Sequence, residues 1–212
     1  VGLEVAVGKL AYLIEADPEG AEWLREDLDR ANALLSAQSL PTHTERETPL
    51  PESSRSSLHG YPYSFLHYLR RIYAHVSRDP SWEPEEVPEG EDPAADPIVE
   101  EELTRMRSHL LCHSDTEGFY FPIDFQDVVV DEDDVLPGGM LGSTQRLMHE
   151  LVVLAPYLGI ALQMGELSNS EATRLNRETE KEGPFWIEKC VWLSLFEAAR
   201  LSLKHGAAIC FT

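Results

Sequence analysis

Between residues 109 and 124 the chain gathers His109, Cys112, His113, Asp115 and Asp124, the side-chain types that ligate metals or move protons near neutral pH. His109 and His113 stand four residues apart, which on a helix puts both imidazoles on one face, and Asp115 follows in the next turn. That spacing suits a divalent metal and defines one functional expectation: a metal-dependent hydrolase or metal-binding protein using His109, His113 and Asp115. Leu110, not Glu, follows His109, so the general base of an HExxH metalloprotease is missing. The competing reading is two histidines at a helix end, hydrogen-bonded to the turn that follows.

Two other motifs fail on inspection. If Asp131 and Asp133 took positions 1 and 3 of a calcium loop, Val135 and Leu136 would fall where an oxygen ligand and a glycine are needed. The glycine-rich stretch from Pro137 to Thr144 enters a helix but has Gly142 where a P-loop has lysine, so it reads as a tight turn. Cys112, Cys190 and Cys210 are an odd number without CxxC spacing, so they read as buried free thiols.

Charge separates this chain from ordinary domains. It has 38 acidic and 17 basic residues, a net charge of −21. Asp79 to Glu102 contains eleven acids and Asp124 to Asp134 six, neither with a Lys or Arg, so the two runs supply 17 of the 21 negative charges. Such a field repels phosphates and anionic membrane surfaces, so direct contact with nucleic acid or membrane is not expected. A basic protein is the expected partner, met by Glu83, Glu85, Glu86, Glu89 and Glu91 of the first run and Asp131, Asp133 and Asp134 of the second. The one basic concentration, His67, Arg70, Arg71, His75 and Arg78, abuts the first acid run and reads as internal charge pairing.

The elements that must position these residues read mainly as helices. Leu3, Val7, Leu10 and Ile14 predict a helix over 3–16; Asp17-Pro18 stops it and opens a second over 18–37, forming a hairpin. Residues 39–57 read as an exposed mobile loop, and 79–97, with five prolines, as an extended linker. Helices are expected from 62, over 98–111, from 143 or 144, and from Ser168, where Glu171 completes a capping box. Gly118 to Phe125 alternates like a strand, demoted to an edge by Pro122. The segment 184–205 is apolar in nearly every helical direction, which predicts a helix at the centre of the core.

The expected fold is therefore mainly α: a single-domain helical bundle, 1–212, around a buried C-terminal helix, with a small β element near 118–130. No stretch approaches the roughly 18 apolar residues of a membrane span, so a soluble cytoplasmic protein is expected. Because each catalytic motif fails, the leading expectation is a non-enzymatic inhibitor or immunity-type domain, without cofactor, that meets a basic protein. The metal-using protein is its alternative.

Overall fold

The computed structural model describes residues 2–133 and 135–212. In chain order the elements are β1 (Leu3–Val7), α1 (Lys9–Ala16), α2 (Pro18–Ala37), β2 (Gly60–Tyr61), α3 (Phe65–Arg78), α4 (Pro97–Leu103), α5 (His109–Cys112), β3 (Gly118–Phe121), β4 (Val129–Val130), β5 (Met140–Ser143), α6 (Thr144–Leu154), β6 (Leu162–Gln163), β7 (Glu166–Leu167), α7 (Asn169–Glu180), α8 (Trp186–His205) and β8 (Ile209–Phe211). The helical-bundle expectation is corrected. A six-stranded mixed sheet in the order β2-β1-β8-β3-β5-β4 runs through the molecule, and β6 and β7 form a separate hairpin.

The physical reasons lie in strand length and distance along the chain. Residues 3–16 fit a helical period, yet Gly8 turns into the left-handed region at φ 67° and splits them into β1 and α1. β1 is then held by β8 from the other end of the chain, with Val5, Ala6 and Val7 opposite Phe211, Cys210 and Ile209. β3 ends at Phe121, before Pro122, so the proline never interrupts the ladder. Far from being an edge, β3 lies between β8 and the parallel β5. Val129 and Val130 pair with β5 instead of β3.

Alternation along these strands feeds two cores. Tyr120, Ile209 and Phe211 face α3, α6, α7 and α8. Phe119, Phe121 and Cys210 face the α1–α2 hairpin through Leu24, Leu28 and Leu35. The sheet is thus covered by a helical hairpin on one side and by four helices on the other. α8 is buried on almost every side; the Trp192 ring stacks on Phe196 at 4.6 Å and its indole N–H donates to the Leu151 carbonyl at 2.7 Å. Among the described residues no helix is long and apolar enough to cross a membrane.

Residues 39–57 and 79–97 lie against the helices. The first is tied to α8 by Arg55 and Glu52 and to α2 by a two-way bond between Asn32 and the backbone of His43. In the second, Trp82 stacks on His75 at 4.5 Å, Arg71 donates to the Glu85 carbonyl, and Tyr157 donates to that of Pro80.

Candidate functional site

The structure separates the three residues expected to bind a metal. The helix predicted over 98–111 is two short ones, α4 and α5, and His113 lies beyond the end of α5 in extended conformation. His109 Nδ1 accepts the Ser143 N–H at 2.9 Å while Nε2 donates to the Gln126 carbonyl at 3.1 Å. Burial lowers its pKa, consistent with this neutral form. His113 stacks on Tyr120 at 4.0 Å, with Nδ1 and Nε2 facing the carbonyls of Ser114 and Phe119. Burial, reinforced by the nearby Arg70 charge, brings its pKa down to about 4. Asp115 turns away and pairs with His67 at 3.2 Å. Among the described residues no three His, Cys, Asp or Glu side chains are placed to hold a metal ion.

These histidines belong to a scaffold around α5. Glu150 accepts the N–H groups of His109 and Leu110, Arg70 donates to the carbonyls of Leu110 and His113, and the Tyr120 hydroxyl donates to the His109 carbonyl. Every partner named here is main chain, so the network fixes backbone and leaves little to recognise a ligand.

The carboxylates are where the molecule meets its surroundings. Glu83, Glu85, Glu86, Glu89, Glu91 and Asp133 are exposed as expected, although Glu86 also accepts the Phe185 N–H at 3.2 Å. Asp131 is half-buried, and its carboxylate accepts the N–H groups of Val135 and Leu136. It shapes the turn more than it offers a charge. Burial would raise its pKa, and these bonds outweigh that and lower it. Asp134 lies outside the described residues. The basic residues of α3 are engaged internally: Arg71 and His75 on Asp96, and Arg78 on Glu101.

Two features of this acid surface depend on the fold. Val99 of α4, in the first acid run, and Val128, in the second, belong to one small apolar cluster, so both runs are anchored to the same patch of core. α2 adds a row that counting uninterrupted acids overlooks. Glu19, Glu22, Glu26 and Asp29 are all exposed at spacings of three and four, opposite the buried stripe of Leu24, Leu28 and Leu35. Helical spacing could have found it; Arg25 and Arg30 break the run and hide it.

Most cations are meanwhile held in ion pairs, among them Arg25 with Glu22 and Glu47, Arg30 with Glu26 and Asp27, Arg146 with Asp124, and Arg200 with Glu52 and Glu197. Among the described residues Glu83, Glu85, Glu89, Glu91, Glu100, Asp127, Glu132, Asp133, Glu19 and Asp29 have no ion-pair partner. A family model described as "Putative DNA-mimic protein" matches residues 1–211. The chain belongs to this DNA-mimic family. No curated protein and no solved structure matches it.

Membership of the DNA-mimic family corrects the functional expectations. An inhibitor or immunity-type domain and a metal-dependent hydrolase both give way to a family named for its likeness to DNA. The expectation of a basic protein partner and no nucleic-acid contact is corrected by the same finding, because the family is described by its likeness to DNA.

Proposed function

We propose that this chain binds a DNA-binding protein in the place that DNA would occupy. The observation that supports this reading most is the set of exposed carboxylates without cationic partners. Glu83 to Glu91 places five carboxylates on nine residues that are neither helix nor strand. Even fully extended at ~3.3 Å per residue, this gives about one charge per 5–7 Å, the same order as the one per ~3.4 Å of axis on a DNA strand. On α2, Glu19 and Asp29 stand unpaired at the two ends of an acid row whose inner members, Glu22 and Glu26, are held by Arg25 and Arg30. A surface of lysines and arginines built to neutralise phosphates finds comparable charge here. Such an association is steered by long-range attraction and weakens with salt.

The test is displacement from DNA. Proteins from an extract of the source cells are retained on DNA-cellulose and eluted with the purified chain, with poly-glutamate of equal charge as control. The expected result is that the chain releases a defined protein that poly-glutamate leaves bound. The Glu83, Glu85, Glu89 and Glu91→Gln variant should keep its melting temperature, release less of that protein, and show a flatter salt dependence. Release no greater than that by poly-glutamate would overturn the reading.

A further inference from the structure

Beside the acid row of α2 the surface opens into a cavity of about 480 Å³ that charge counting does not reveal. Asp17, Gly20, Trp23 and Asp27 line it from α2 and its cap, one helical step apart, and Glu117 faces them from the turn before β3. Its walls are mixed, with Leu13, Leu24 and Phe119 supplying apolar surface between the carboxylates. Trp23 is 61% exposed although Leu24 beside it is buried. Lys9 is the cation lining the cavity, and its ammonium donates to the Thr212 hydroxyl at 2.9 Å. Asp27 is held from outside by Arg30. Partial burial raises the Asp27 pKa against the opposing charge and hydrogen bond of Arg30, with smaller contributions from Glu26 and Glu117.

We propose that this cavity receives an arginine side chain of the partner, with the guanidinium over the Trp23 indole and turned toward the carboxylates of Asp17, Asp27 and Glu117. The proposal rests on the DNA-mimic reading and names the contact that gives it specificity. An open acidic surface attracts any cation. A planar guanidinium on a long aliphatic stem also gains from an aromatic face and apolar surface, where the compact, strongly hydrated ammonium of lysine gains less. Phosphates of DNA could not supply that contact.

The test uses the full chain and two peptides, hexa-arginine and hexalysine. Uniformly ¹⁵N-labelled protein is titrated while the Trp23 indole N–H resonance and the dissociation constants are followed. Hexa-arginine should shift that resonance and bind more tightly than hexalysine. Trp23→Ala, an exposed substitution that keeps every charge, should weaken hexa-arginine binding about two- to fivefold and abolish the preference over hexalysine. Its melting temperature should match that of the parent. Equal binding of hexa-arginine by parent and Trp23→Ala, or shifts confined to residues 83–91, would overturn the proposal and leave the DNA-mimic reading to the linker. An arginine preference lost in Trp23→Ala, without displacement from DNA-cellulose, would keep the cavity and remove that reading.

Discussion

Arg55 and Glu197, 142 residues apart, are joined twice: the Arg55 backbone N–H donates to Glu197 Oε2 at 2.9 Å and its guanidinium to Oε1 at 2.5 Å. Glu197 is fully buried on α8, and Arg200 binds the same carboxylate. This is what fastens residues 39–57 to the core.

Glu197→Ala should therefore cost about 2–4 kcal/mol in urea unfolding. The loss stays below that of a wholly buried orphan charge because the Arg55 and Arg200 side chains remain 24% and 23% exposed and Arg200 keeps Glu52. Trypsin should cut faster after Arg46 and Arg55 in this variant under native conditions. An unchanged digestion rate would mean that other contacts hold the loop.

Two buried groups should set opposing pH dependences. Burial pushes the Glu150 carboxyl up to about 7 from an ordinary 4.5, against the pull of its amide donors. Between pH 4.5 and 7 the folded state then holds more protons than the unfolded one, so this group lowers stability as pH rises, and the loss is complete above 7. His113, lowered to about 4 from 6.5, acts in reverse: the unfolded state binds the extra proton between pH 4 and 6.5, and stability rises with pH. Glu150→Gln removes the first effect and leaves the second. Its stability should climb more steeply than the parent's between pH 4.5 and 7, the difference reaching roughly 3 kcal/mol. Parallel pH profiles from denaturant melts would show that Glu150 titrates as an ordinary carboxylate.

Gly142 in β5 lies opposite Tyr120 of the parallel strand β3. A methyl group there would come within 2.2 Å of the Tyr120 ring, which has nowhere to go: it stacks on His113, and its hydroxyl is bound to the His109 carbonyl. Gly142→Ala should cost about 3 kcal/mol through overpacking, read as a lower melting temperature with a changed near-ultraviolet tyrosine signal. Unaltered melting would show that β3 and β5 can separate without penalty.

What the sequence by itself determined is local in origin. The helices 18–37, 144–154 and 169–180 follow from caps and periods contained within them: Asp17, Ser143 and Ser168 each accept an amide of the first turn, and apolar residues repeat at helical spacing. The burial of α8 was legible for the same reason, since a helix apolar on all sides has to be enclosed. The acidic character and the exposure of Glu83 to Glu91 needed only composition and prolines. Tertiary structure decided the rest. Strands of two to five residues are too short to show alternation, and β1 exists because β8 arrives from the far end of the chain. His109 and His113 have the spacing of a metal pair, yet α5 ends between them and the backbone takes their nitrogens. The meeting of Trp23 with Glu117 across one cavity joins residues whose nearness has no period in the sequence, because the packing of helices on a sheet creates it.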